Sequence, residues 1–494
     1  MYDPFYFTGG DYMYLGIETG IKHTLSSEEI IGCDHLELSF NIDGVPIYKS
    51  RSISVWPIQG VINNVEKVSK KPFIIAMYSG TKKPQTLEFL LDFVEELKIL
   101  MNAGVEGKDV IVKNIICDAP ARAFVKGIKQ FNAFYGCDFC DVKGEYDGRM
   151  LFLHDGTQRT DSSFRQKINI EHHKEDSPFL QLNIDMVKQF PIDPMHCVDL
   201  GVTKRLLVLW REGPLPHRLS AGKISIISQF HQAIRQYIPL DFNRKPRGLD
   251  ELRIWKATEF RLFIMYTGPI IMKNVLDEKK YEHFLSLSIG ICILFNENLS
   301  DHRRYGAELL KYFVEQAVTL YSRNFISYNV HCLLHLLDTA TYNKTLNDCS
   351  AYKFENNMTQ LKRCVRGTGE PLIQIANRMA EKHVAAKLIS RNEETRVVVP
   401  KVKACYTLSC GKFCIVHEVR ERQVLCEVYK RTEALYSVPC DSRILGVHKG
   451  FLQQTEMMLL STERLVRSAI MIPLSLVDRD LATARALIPL MHAN

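Results

Sequence analysis

The sequence has no apolar run long enough to cross a membrane: the longest, around Leu285 to Phe295, is interrupted by serines and falls short of the ~18 residues a span requires. Its first residues, MYDPFYF, lack both a basic stretch and a continuous apolar stretch, so no signal peptide is expected. The expectation is a soluble intracellular chain with no membrane partner. Cysteine is sparse, 14 in 494 residues, which excludes a disulfide scaffold; in a reducing compartment a close pair binds metal or is buried. Neither sign of charge dominates. Lys and Arg number 63 against 56 Asp and Glu, and the net +7 permits a polyanionic partner without demonstrating one. Internal repeats and low-complexity segments are also absent. At 46% hydrophobic the chain is an ordinary globular one, long enough for two to four domains at roughly 150 residues each.

Three strand-like stretches open the readable part, LELSFNID from Leu36, SISVWPIQ and PFIIAMYSG. An amphipathic helix from Thr86 to Met101 follows and stops before Gly104. Next come an apolar strand, VIVKNIICD, ending on Asp118, and a helix entered through Pro120. This βββαβα order is that of a ribonuclease H-like core. The predicted fold is therefore α/β, with a lead-in over 1–35 and the first part of the core over 36–144. A mostly helical insertion is expected over 145–330, completion of the core over 331–390, a small β-rich module over 391–460, and a helical tail over 461–494.

Asp43 and Asp118 each end an apolar strand, where open α/β sheets hold their sites. Turn-forming or helix-capping aspartates give the same pattern, but in this topology the first and fourth strands are neighbours, so the two carboxylates can share a metal. Glu355, in AYKFENNMTQLKRCVR, is the candidate third acid, with Glu370 as a fallback; a first-turn glutamate favoured by the helix dipole is the plain alternative. Cys137 and Cys140, in YGCDFCDVKG, form a C-x-x-C turn. His331 and His335, in NVHCLLHLL, are spaced to project from one helix face. Together they make a two-Cys, two-His structural zinc set. Cys405, Cys410, Cys414 and His417 offer a second zinc set in the β-rich module, against which their irregular spacing favours buried or incidental cysteines.

The run NIDGVPIYKS, WPIQG, CDAPARAFVKGIK, GCDFCDVKGEY, FPIDPMHCVDLGV, RIWKATEFRLFIMYTGP, NVHCLLHLL and SAYKFENNMTQLKRCVR resembles the transposase domain of animal CACTA (En/Spm-like) DNA transposons, over roughly residues 10 to 385. That group is related to the Transib elements and the vertebrate immune-receptor recombinase. The resemblance implies Asp43, Asp118 and Glu355 as a catalytic triad binding Mg²⁺ or Mn²⁺, with Cys137, Cys140, His331 and His335 on structural Zn²⁺. It also singles out Asp193 and His196, a D-x-x-H, as accessory residues. The implied activity is cut-and-paste transposition by two-metal phosphodiester hydrolysis and strand transfer, in the nucleus, on double-stranded transposon ends and target DNA.

Phosphate contacts are expected from Arg244, Lys245, Arg247, Arg253, Lys256 and Arg261, with Trp255 nearby, and from Lys362, Arg363 and Arg366. A solvated helix face with a core tryptophan is the alternative for the first group. No finger-like Cys/His set precedes Asp43, so end recognition calls for a separate protein, the β-rich module or a lost exon; synapsis calls for a homo-oligomer. Two rival readings remain: a domesticated, catalytically silent DNA- or chromatin-binding derivative, and a ribonuclease H-like nuclease without strand transfer.

Overall fold

The computed structural model describes residues 5–7, 9–48, 52–84, 87–367, 369–389 and 400–491. It divides into two compact units, Met1–Pro194 with Asp348–Thr395, and Met195–Asn347 with Arg396–Asn494.

The first unit is built on a mixed sheet. Its strands are β1 (Phe5–Phe7), β2 (Gly10–Tyr14), β3 (Leu36–Ile42), β4 (Val45–Pro46), β5 (Ser54–Ile62), β6 (Phe73–Gly80) and β7 (Val110–Ile116). The order is β1-β2-β6-β5-β3-β7, with β4 on β5, and only β3 and β7 run parallel. The strands β1 and β2 lie in the stretch read from sequence as a lead-in, and extend the sheet beyond β6.

Strand β3 explains its own placement. Leu36, Leu38, Phe40 and Ile42 alternate with Glu37, Ser39 and Asn41, so one face is apolar and the other polar. Phe40 meets Phe93 edge-on at 5.0 Å; Phe93 belongs to the helix Leu91–Ala103, which also buries Val94, Leu97 and Leu100. Four such side chains contribute about 1.5–3 kcal/mol each. The helix ends at Gly104, whose φ of 73° suits a residue without Cβ. Elsewhere in this unit Met13, Val55 and Met77 pack with Met358 and Leu361 of the helix Tyr352–Cys364 and with Leu372 and Ile375 of the helix Pro371–Ile389.

Residues 145–194, read from sequence as the start of a helical insertion, belong to this first unit. They form a two-stranded ribbon, β8 (Glu145–Tyr146) and β9 (Met150–Leu151), and short helical segments at Asp161–Arg165, Ile170–His172 and Pro178–Gln181. Their shape comes from side-chain to backbone bonds rather than helix periodicity: Arg165 donates to the carbonyls of Leu180, Leu182 and Ile184. Helices dominate from Met195 to Asn347. The segment around Leu285 is the helix Glu278–Phe295, buried on nearly every side, and its serines donate internally, Ser288 to the Ile264 carbonyl at 2.6 Å. Gly290 touches the helix Arg303–Tyr321, where an added Cβ would lie 2.9 Å from the Gly306 carbonyl oxygen.

The C-terminal part of the second unit contains β10 (Cys405–Leu408), β11 (Phe413–Arg420), β12 (Gln423–Tyr429), β13 (Thr432–Ala434), β14 (His448–Phe451), β15 (Thr455–Ser461), β16 (Leu465–Pro473) and β17 (Ala484–Pro489), in the order β13-β14-β17-β16-β10-β11-β12-β15. Since β12 runs into β13 after two residues and β14 into β15 after one short turn, the two ends of that order are the same pair of bent strands, and the sheet curls back on itself. The helical tail expected over 461–494 is therefore corrected: β16 and β17 fill it, held by pairing of β16 with the distant β10 and by the β16–β17 hairpin. The first part of the expected β module, 391–399, lies outside the described residues. Among the described residues, no helix is long and apolar enough to cross a membrane.

Candidate functional site

Asp43 follows the last residue of β3 and Asp118 follows β7 by two. The parallel register pairs Asn41 with Ile116, the residues two before Asp43 and Asp118. Both carboxylates act on the thiol of Cys117, which burial above all pushes well up. Glu355 stands in the first turn of the helix Tyr352–Cys364. A carboxylate oxygen of Glu355 and one of Asp43 lie within 4.8 Å of each other, both half-buried. Two residues remote in sequence thus bring hard oxygen donors near one another. Asp118 is committed differently. Its Oδ1 accepts from the Ala121 amide at 2.7 Å and caps the helix Ala119–Val125, so its capping reading holds. Glu370, the fallback acid, is exposed before the helix Pro371–Ile389.

Asp193 is buried, and its Oδ1 accepts from the Ala351 amide at 2.9 Å. Ala351 starts the helix that carries Glu355, so Asp193 anchors that helix. His196 is half-buried in a π-helical segment, Met195–Thr203, of the second unit.

Two pairs of softer donors occur, one in each unit. Cys137 Sγ and Cys140 Sγ are buried and 3.5 Å apart, too far for a disulfide. His331 Nε2 and His335 Nε2 are buried and 3.2 Å apart. A tetrahedral zinc with Zn–S near 2.3 Å and Zn–N near 2.0–2.1 Å sets paired sulfurs about 3.8 Å and paired nitrogens about 3.3 Å apart, so each pair has the spacing of half a zinc site.

Sequence reasoning missed what lies between the two cysteines. Asp138 is buried and accepts from Arg122 Nε at 2.6 Å, with Lys126 Nζ at 3.8 Å. Burial alone would raise the Asp138 carboxyl, but these two cations hold it at about 2; burial lowers Lys126 to about 8. Arg159 adds a bond from Nε to the Cys137 carbonyl at 3.2 Å. The C-x-x-C turn is thereby fixed by a desolvated ion cluster. Asp138→Asn leaves two buried cations without their anion and should destabilise the chain by about 3–5 kcal/mol, measured as a lower urea midpoint at unchanged slope.

The basic segment divides. Arg247 forms a two-bond pair with the buried Glu259, Nε–Oε1 2.7 Å and Nη2–Oε2 2.5 Å. Arg261 is buried, 4.6 Å over the Phe295 ring, and donates to Asn347 Oδ1 at 3.2 Å. Lys245 donates to the Ile238 carbonyl, and Trp255 is a core residue donating to the Gly248 carbonyl at 3.0 Å. Arg247, Arg261 and Lys245 thus engage partners within the second unit, and Trp255 takes its alternative reading as a core residue. Arg244, Arg253 and Lys256 are exposed, as are Arg363 and Arg366 in the first unit, while Lys362 is half-buried. Arg253 pairs with Glu212 at 3.2 Å across solvent. Arg247→Ala strands the buried Glu259 and should cost about 3–5 kcal/mol. Arg253→Ala, in contrast, should leave the melting temperature unchanged; thermal denaturation of the two variants tests this.

Among the described residues, Cys405, Cys410, Cys414 and His417 are not brought together as a metal-binding group. Cys414 belongs to an apolar cluster with Val416, Val424 and Cys426, whereas Cys405 belongs to a separate one with Phe413, Ile415 and Tyr429. Cys410 is exposed, and His417 pairs with Glu427 at 3.0 Å.

Comparison with protein families finds no family model that matches the chain, and comparison with curated proteins finds no match.

Proposed function

We propose that the chain is a DDE-type DNA transposase whose acids, Asp43, Asp118 and Glu355, hold two Mg²⁺ or Mn²⁺ ions, with Cys137, Cys140, His331 and His335 on one structural zinc. The observation that carries this reading is the approach of Asp43 and Glu355 to within 4.8 Å, with Asp118 two residues beyond the parallel strand β7. The strand order β6-β5-β3-β7, with only its last pair parallel, supports a ribonuclease H-like core in the first unit. Bound divalent ions would stabilise charge on the attacking and leaving oxygens of a phosphodiester.

The chain's own residues do the rest. Asp43 and Glu355 present donors from a strand end and a helix, and Asp118 contributes Oδ2 while its other oxygen keeps the following helix in place. Arg363 and Arg366 lie on and just beyond the helix that carries Glu355, where they meet phosphates of DNA approaching the acids. Nuclear location, self-association for synapsis and a separate end-recognition protein belong to the same proposal. One observation favours the second reading, a silent DNA- or chromatin-binding derivative: Asp118 Oδ1 is already engaged as a cap.

Zinc-loaded protein incubated with Mn²⁺ or Mg²⁺ and double-stranded DNA bearing candidate CACTA-type ends separates the alternatives by product. Nicked and joined products are expected. Nicks without joining would indicate a nuclease, and binding without products the silent derivative.

A further inference from the structure

We infer that Gln59 and Asn357 are positioning residues that set Glu355 against the strands carrying Asp43 and Asp118; the inference rests on the reading of these acids as a metal-binding set. Three side-chain amides form one directed chain. Asn357 Nδ2 donates to Gln59 Oε1 at 2.8 Å, Gln59 Nε2 donates to Asn41 Oδ1 at 3.0 Å, and Asn41 Nδ2 donates to the Ile116 carbonyl at 2.9 Å. The chain starts on the helix Tyr352–Cys364, crosses β5 and β3, and ends on β7. Asn357, Asn41 and Ile116 each lie two residues from one of the acids, Glu355, Asp43 and Asp118.

The direction of this chain is fixed by its last link. The Ile116 carbonyl can only accept, so Asn41 must turn its nitrogen there and its oxygen toward Gln59; Gln59 must then offer its oxygen to Asn357. Asn41 and Gln59 are fully buried, so no water can substitute for a lost partner. A second tether runs beside the first: Lys353 Nζ donates to Asn63 Oδ1 at 3.4 Å, and Asn63 Nδ2 to Ser39 Oγ at 2.8 Å. Ser39 and Asn41 are the polar residues of β3 on the face that continues to Asp43.

Apolar packing alone tolerates small rotations and slips of a helix on a sheet. A directed amide chain with buried links tolerates one register. A slip of one residue moves a helical side chain by about 1.5 Å along the axis and swings it around, enough to remove a carboxylate from a metal's reach. The polar face of β3 therefore serves to hold the helix at the depth where Glu355 and Asp43 can share an ion.

The test is Mn²⁺ titration by calorimetry of the zinc-loaded full chain, paired with the Mn²⁺ dependence of DNA cleavage. Asn357→Ala removes the donor at the half-buried end of the chain, and Asn357→Asp turns an acceptor against Gln59 Oε1. Both should weaken Mn²⁺ binding about tenfold and raise the metal concentration for half-maximal cleavage, with kcat at saturating metal nearly unchanged and zinc content intact. Asn356→Ala, on the exposed side of the same helix, should behave as wild type. Gln59→Leu should match Asn357→Ala, and if it fails to fold the Asn357 variants carry the test. Unchanged Mn²⁺ affinity in folded Asn357→Ala and Asn357→Asp would overturn the inference. Wild-type Mn²⁺ binding that is absent, or indifferent to Asp43→Asn, would instead overturn the reading of the acids on which it rests.

Discussion

Asp43→Asn and Glu355→Gln should each lower Mn²⁺-supported cleavage of double-stranded DNA by about 10³-fold, equivalent to about 4 kcal/mol of transition-state stabilisation. Each substitution keeps the side chain's size and removes one anionic donor, so the loss should fall on chemistry rather than folding. Asp43 illustrates the point: its Oδ1 accepts from the Gly44 amide at 2.7 Å, a bond an asparagine oxygen can also make. Asp118→Asn should give a comparable loss without unfolding the following helix, because asparagine caps as well as aspartate. Asp118→Ala removes the cap too and should add about 1 kcal/mol of destabilisation. Steady-state cleavage rates with circular dichroism on the same samples measure both effects. A change of less than about threefold in Glu355→Gln would remove Glu355 from the triad.

Cys137→Ser and His335→Ala should each take the zinc content from one equivalent per chain to none and greatly reduce stability. Structural zinc contributes on the order of 10 kcal/mol to small metal-dependent domains, and neither pair alone supplies four ligands. The prediction is specific because the two pairs belong to different parts of the chain, and loss of either must have the same effect on the metal. Inductively coupled plasma analysis and urea denaturation before and after chelation give the two numbers. If Cys137→Ser loses zinc while His335→Ala retains a full equivalent, the histidines are not ligands, and their 3.2 Å approach is an ordinary hydrogen bond between neighbouring rings.

Local patterns made the central strands legible. The alternation LELSFNID announces β3 and its exposed end, and VIVKNIICD announces β7, because side-chain period and burial are local properties. The C-x-x-C and H-x-x-x-H spacings were equally readable. What the sequence could not supply was pairing between distant segments. The segments LVRSAIMIP and ARALIP, expected within a helical tail, become β16 and β17 by pairing with the distant β10, with β14 and with each other. The basic run around Arg247 looked like a phosphate-binding surface because nothing local reveals that Glu259 is buried and faces it. Ser39, Asn41 and Gln59 looked unremarkable for the same reason, since their meaning depends on a helix almost three hundred residues later. Phe5–Phe7 and Gly10–Tyr14 were missed as strands because each is too short for its periodicity to stand out.

The most direct measurement is Mn²⁺ binding to the zinc-loaded chain, followed by electron paramagnetic resonance, in wild type and Asp43→Asn. Saturable Mn²⁺ binding that Asp43→Asn weakens at least a hundredfold, with zinc still in place, is the expected result. Identical Mn²⁺ isotherms in the two proteins would contradict the assignment of Asp43 and Glu355 as ligands of a catalytic metal.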